Sequence, residues 1–327
     1  MKTEDKFFYI DRPHELTARE RVKHCLYPFY NAFLKMVALT YTEDKRELKY
    51  ELSICSCFKN EAPFLKEWIE YHLFIGYDHF YLYNNNSTDN YLEVLNPYIS
   101  KGIVTLTDMP VVPVQVPSYE DFSARFRNDT KWVTFLDLDE FVCPLDVENV
   151  KEWLKPLSKH PVVCIYWKYF GSSGLIDHDF SKTVIEQYTQ ATDKFINIGK
   201  CFYNTRYEIA RYDRGMIHFL SAKYHGLIIP PVNESGNYSI WDCNRMGGGR
   251  FTIQLNHYWS KAFNQYIEKY KKGSGASGQM WKKIEVYKQI EHLCKGVDVC
   301  IIRYLAELKL RLNDRNEMAI LEELHEE

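Results

Sequence analysis

The sequence predicts an α/β protein built on a mainly parallel central sheet, with helical extensions at its amino and carboxyl ends. Two observations predict it. From residue 51 to 141, short apolar, β-branched and aromatic runs alternate with stretches whose apolar residues recur at helical spacing. Polar turn clusters also follow the runs repeatedly, at Asn60, Asn84 and Asp137, which places them together beyond the carboxyl ends of parallel strands.

Residues 1–49 read as a charged, helical lead-in. Residues 52–57 are a first strand, and Pro63 suits the first turn of a helix on which Phe64, Leu65, Trp68, Ile69, His72 and Leu73 share a face. Gly76 stops it. Residues 79–83 form the second strand, 84–89 its turn, 91–99 the second helix and 103–107 the third strand. The Pro-rich 109–117 stretch reads as a loop and 119–127 as a helix, leading into a strand over 132–141 that ends in acids. Beyond it a helix is expected over 150–157, a strand over 162–167, and a tight loop over 171–174. Strands are expected over 184–189, 200–203, 216–220 and 251–258, and a mobile Gly- and Asn-rich loop over 233–250. The chain is helical and charged from Ala262, and Ile301, Leu305, Leu308 and Leu312 make a packing stripe. These readings divide the chain into an extension (1–50), a main domain (51–272) and a second extension (273–327).

A chain of 327 residues can bury a real core, and its net charge of −3 offers no global basic field for nucleic acid. An aromatic content of 16%, with 25 Tyr, suits stacking on sugars, a membrane surface or a Tyr-rich core. The nine cysteines lack zinc-site spacing and read as reduced thiols of a cytosolic protein. Residues 1–15 do not read as a signal peptide. Residues 25–41 are too short, and too interrupted by Pro28, Asn31 and Lys35, to span a bilayer. They read as an interfacial helix flanked by Arg19, Arg21 and Lys23, or as a helix docked on the protein's own core. The expected location is the cytoplasm, with peripheral contact at the inner face of the membrane.

The acids closing the 132–141 run carry the chemistry. On a strand, Asp137 and Asp139 point the same way, and two convergent carboxylates can hold a hard divalent cation that clamps a diphosphate. A solvated acidic turn is the alternative, with Glu140 solvated or behind the metal ligands.

Three segments together resemble glycosyltransferase family 92 and the related bacterial family-2-like glycosyltransferases. They are residues 57–72 continuing through 81–89, residues 132–141, and Asn256-His257-Tyr258-Trp259-Ser260-Lys261 with Glu268 and Lys269 downstream; the Gly171–Gly174 loop is similar too. The resemblance implies a GT-A type nucleotide-sugar-binding fold, a UDP-sugar donor, Mn²⁺ or Mg²⁺, and inversion at the anomeric carbon. Asp137, Asp139 and His257 would hold the metal, His favouring Mn²⁺. Asn60, Glu61, Asn84, Asp89 and Lys261 would meet the donor, although Asp89 also reads as a cap for the following helix. Glu186 is preferred over Asp177 and Asp179 as the general base, because an acid stands out in an apolar strand. The expected reaction transfers a sugar, plausibly galactose, to a bacterial surface glycan such as lipopolysaccharide or capsule. A metal-dependent phosphohydrolase and a non-catalytic sugar-binding protein on the same fold are the alternatives.

Overall fold

The computed structural model describes residues 8–9, 17–210, 218–240, 243, 245–247, 249–273 and 284–313. In chain order its main elements are α1 (Ala18–Ala38), β1 (Tyr50–Phe58), α2 (Ala62–Phe74), β2 (His79–Asn84), α3 (Tyr91–Ser100), β3 (Val104–Asp108), α4 (Gln115–Arg125), β4 (Thr130–Phe135) and β5 (Glu140–Pro144). There follow α5 (Val150–Leu154), β6 (Val162–Tyr169), α6 (Val184–Gln187), β7 (Gly199–Asn204), β8 (Ile253–His257), α7 (Phe263–Lys272), α8 (Ile284–Leu293) and α9 (Leu305–Leu312).

The eight strands make one sheet in the order β3-β2-β1-β4-β7-β6-β8-β5. β3, β2, β1 and β4 are parallel, β7 runs against both β4 and β6, β8 is parallel to β6, and β5 opposes β8. Six strands therefore share one direction, and the sheet is mainly parallel as expected. The chain winds outward from β1 to β3 and then returns to lay β4 on the other side of β1, which leaves a crevice at the carboxyl ends of β1 and β4. Gly199 lets β7 lie close on β6: a Cβ there would stand 1.9 Å from the Ile165 carbonyl oxygen.

The apolar face read for α2 is its packing face. Leu65, Trp68 and Ile69 are fully buried, the Trp68 indole donates to the Glu140 carbonyl at 2.9 Å, and the Tyr71 hydroxyl donates to the Val142 carbonyl at 2.7 Å. α9 covers the far side of α2, with Leu308 buried and Lys66 donating to the Leu312 carbonyl at 2.8 Å. α1 docks through buried Tyr27 and Leu34, and the Tyr27 hydroxyl donates to the Tyr238 carbonyl at 2.9 Å. Among the described residues no helix is long and apolar enough to cross a membrane. All nine cysteines are free thiols.

Several expected elements are different. The 132–141 run is two strands, β4 and β5, separated by a turn at residues 136–139, so Asp137 and Asp139 lie on that turn and not on a strand. Both strands are buried on both faces, so no change of polarity marks the break. α4 begins inside the expected Pro-rich loop, with Pro117 in its first turn where a missing N–H costs nothing. The expected 184–189 strand is instead the short helix α6. The 216–220 strand falls partly outside the described residues, and 218–220 are not strand. The 233–250 loop also extends beyond the described residues.

A tertiary contact explains α6. The buried Glu67 carboxylate of α2 accepts the Val184 N–H at 2.8 Å and the Ile185 N–H at 3.3 Å, satisfying donors that a helix start leaves open. Burial outweighs those hydrogen bonds and pushes the Glu67 carboxyl from 4.5 up to about 7. The folded protein then holds this proton to a higher pH than the unfolded chain. Stability contributed below pH 4.5 is lost as pH rises through about 7, by up to roughly 3 kcal/mol. Glu67→Gln is expected to flatten this slope and to melt above the wild type at pH 8 but not at pH 5. Equal slopes in thermal melts across that range would refute the assignment.

Candidate active site

The crevice at the sheet's carboxyl edge is a cleft of about 680 Å³. One wall comes from the end of β1 and the loop after it, the start of α4 and the turn after β4, including Cys57, Lys59, Glu61, Gln115, Asp137 and Asp139. The facing wall comes from the ends of β6 and β8 and from α7 and α8, including Trp167, Tyr169, His257, Trp259, Lys261, Lys269 and Lys272. His218 and Asn85 also line it.

The acidic turn is fixed from beneath by a buried cation. Lys200 of β7 is fully buried, with its ammonium 2.9 Å from Asp137 Oδ2 and 3.7 Å from Glu140 Oε2. The other Asp137 oxygen accepts from the Gln115 amide at 2.9 Å. Glu140 is also fully buried: it accepts the Trp167 indole N–H at 2.6 Å and the Asp137 backbone N–H at 2.9 Å. Burial drives the Glu140 carboxyl well above the usual range despite Lys200. At Asp137 burial acts the same way, but the Lys200 ammonium outweighs it and holds the carboxyl low. Burial would also strip Lys200 of its proton, and the two carboxylates more than reverse this.

Asp139 faces the other wall. It is ion-paired with Lys269 and lies 3.5 Å from His257 Nε2. Burial opposes its ionisation, yet Lys269 and His257 hold its carboxyl well below the usual range. The same burial lowers His257, against the pull of Asp139, and His257 Nδ1 is buried without a partner. The imidazole packs against Trp167 and Tyr169, with ring centroids at 4.6 and 5.3 Å.

Glu61 ends the loop after β1 and is the residue before α2, but its side chain does not cap the helix. Asp89 does so instead, accepting the Ala62 N–H at 2.8 Å. This frees the Glu61 carboxylate for Lys272 at 2.8 Å and Lys261 at 3.8 Å. Lys261 has a left-handed backbone, and its ammonium lies 3.3 Å from the centroid of the Phe64 ring. Burial is the main cause that lowers its pKa.

Of the residues singled out in the sequence, the structure brings Glu61, Asp137, Asp139, His257 and Lys261 into the cleft. Asn60, Asn84 and Asp89 are not among its lining residues. Asn60 Oδ1 accepts the Thr88 N–H at 2.7 Å, and Asn84 donates to Asp108 at 2.8 Å and Tyr91 at 2.9 Å, leaving Asn85 to line the cleft. Asp89 caps the helix before it, α2, and not the one after it. Glu186 lies outside the lining, on α6, with its carboxylate 2.8 Å from Lys309 of α9, and that hydrogen bond lowers its pKa. The apolar context that singled it out is a helix packing face, so the structure does not place it as a base. Asp177, bonded to Asn264, and Asp179, bonded to Ser181, are outside too. Glu140 is buried, not solvated.

The sequence reading missed Lys200, Gln115, Lys272 and His218. A lone Lys inside Gly199-Lys-Cys-Phe-Tyr was the one available signal, since a lysine is almost never buried without a partner. For a divalent cation, Asp139 and His257 offer one carboxylate and one imidazole facing each other, a donor pair suited to Mn²⁺. Asp137 is turned toward Lys200 and Gln115. Among the described residues no three His, Cys, Asp or Glu side chains converge as a metal centre, so the expected three-residue ligand set is not assembled.

Fold and cleft thus define an α/β protein whose ligand crevice opens at the topological switch of its sheet. The sequence profile of glycosyltransferase family 92 matches residues 49–236, more than half of the chain, and the protein belongs to that family. A family 92 glycosyltransferase of Arabidopsis thaliana is 35% identical over 100 residues, covering 30% of this chain and 17% of that protein. A galactan beta-1,4-galactosyltransferase of the same plant is 32% identical over 133 residues, covering 37% of this chain and 26% of that protein. The chain spans about a fifth of the length of the first curated relatives it matches. Among solved structures, S. aureus TarS in complex with UDP aligns over 47% of each chain at 13% identity, with a TM-score of 0.31.

Removing the buried ammonium tests the site's foundation. Lys200→Met leaves Asp137 and Glu140 without their cation and is expected to cost about 3–5 kcal/mol in denaturant unfolding. Adding Glu140→Gln should recover part of that loss. A Lys200→Met protein as stable as the wild type would contradict the burial argument.

Proposed function

We propose that this protein transfers a sugar from a UDP-linked donor to a glycan acceptor, with inversion and with the help of a divalent cation. The observation that carries the reading is the Asp139–His257 pair in a cleft lined by Lys261, Lys269 and Lys272. In this reading Asp139 and His257 hold Mn²⁺ in preference to Mg²⁺, and the cation, when bound, stabilises the departing diphosphate as a Lewis acid. Asp137 positions the turn. Lys261, Lys269 and Lys272 meet the phosphates as point charges, and Glu61 keeps the first and last of them oriented. Trp167, Tyr169 and Trp259 offer apolar faces to a sugar ring. Galactose is the preferred donor sugar, supported by the galactan galactosyltransferases among the relatives. A bacterial surface glycan remains the proposed acceptor class, although those relatives are plant proteins. The nine free thiols support a reducing, cytoplasmic compartment.

Incubation with a panel of nucleotide sugars, with and without Mn²⁺, is expected to release UDP from UDP-galactose only when metal is present. Asp139→Asn should fold normally and lose about 100-fold or more in turnover, the equivalent of roughly 3 kcal/mol of lost transition-state stabilisation. Metal-independent release, or near-normal turnover in that variant, would exclude the metal role. Binding of UDP without turnover of any donor would favour a sugar-binding protein.

A further inference from the structure

α1 has a second face that the fold does not use. Tyr27 and Leu34 are buried, while Val22, Leu26, Phe29, Phe33 and Met36 are 39–75% exposed. Their alternating spacing of four and three residues aligns all five in a single stripe along the helix. Scattered surface apolar residues are ordinary, but a continuous stripe of five that includes two Phe is not.

Among the described residues, the charges flanking the amino-terminal part of the stripe are cationic. Arg19 and Lys23 fall on one side of it and Arg21 on the other, by helical geometry. The only acid of α1, Glu20, is engaged in the helix's own capping box with Thr17, and no acid follows until Glu43. We propose that α1 docks this protein on an anionic phospholipid bilayer. Its apolar stripe lies in the boundary between headgroups and acyl chains, and Arg19 and Lys23 lie against the lipid phosphates. A parallel two-fold pairing of the stripe with a second copy would set the cationic amino-terminal ends against each other.

The position of the helix is compatible with catalysis elsewhere. α1 holds Tyr238, which bridges to Val232, and Val232 in turn pairs with Val163 at the amino end of β6. The cleft lies at the carboxyl ends of the strands, so docking leaves it open, and the proposal does not rest on the transfer reading.

The test is co-sedimentation of the full chain with vesicles of phosphatidylcholine alone and of phosphatidylcholine with phosphatidylglycerol, alongside sedimentation equilibrium without lipid. Expected is pelleting with the anionic vesicles that weakens with added salt. It should fall about tenfold or more in Phe29→Glu/Phe33→Glu, and also fall in Arg19→Glu/Lys23→Glu, with wild-type melting temperatures in both variants. Failure to bind either vesicle, or binding that Phe29→Glu/Phe33→Glu leaves unchanged, would overturn the proposal. So would a lipid-free dimer that the double Phe variant dissociates, which would assign the stripe to a second copy.

Discussion

The buried Lys200 ammonium is the interaction on which the geometry of the cleft depends. Removing an ammonium from water costs several kcal/mol, and only two nearby carboxylates make that tolerable here. Those carboxylates, Asp137 and Glu140, bracket one tight turn. Glu140 also takes the Trp167 indole and the Asp137 N–H, so one side chain ties the turn to β6 while Lys200 ties it to β7. With both Asp137 oxygens engaged by Lys200 and Gln115, Asp139 is the acid of the turn left to face His257. Two acids a residue apart thereby acquire different work: one holds the turn and the other is presented to the cleft.

The rest of the cleft's charge is arranged for exchange. Asp139 shares Lys269, and Glu61 shares Lys272 and Lys261. The Lys272–Glu61 side chains keep 23% and 21% of their surface exposed, so water screens their attraction and the pair is worth little by itself. In the proposed reading, an entering diphosphate would offer these ammoniums a more highly charged partner at small cost. Lys200 differs in kind: its ammonium and its Glu140 partner are fully buried, and only the Asp137 carboxylate it holds reaches the cleft.

The sequence revealed most where structure is local. β1 to β3, α2 and α3 follow from apolar spacing, Pro63 and Gly76, and their boundaries lie within two residues of those read. The failures have long-range causes. Glu67, more than a hundred residues before α6, supplies the hydrogen-bond acceptor that makes a helix of an apparent strand. Lys200 finds Asp137 across 63 residues, which no pattern of spacing reveals. Asn84 and Asp89 have residue types that suit ligand contacts, but the same types suit turns and caps, and here the backbone takes them. The acidic pair and His257 were legible as types in a pattern, whereas the exclusion of Asp137 from the Asp139–His257 pair required the fold.

The two walls of the cleft stand in different relation to the family. The wall bearing Glu61, Asp137 and Asp139, with Lys200 beneath it, falls within residues 49–236, which match family 92. The facing wall takes Trp167 and Tyr169 from the same stretch, but its His257, Lys261, Lys269, Lys272 and the α8 residues Gln289 and Ile290 come from chain beyond it. The matched part therefore carries the switch point of the sheet and the anchored acidic turn, the features that fix where a ligand sits. The later part brings the imidazole, the exchangeable cations and the aromatic Trp259. Those groups face the acidic turn across the cleft and stand apart from the buried charges that hold it, so a change among them leaves the Lys200 anchor in place.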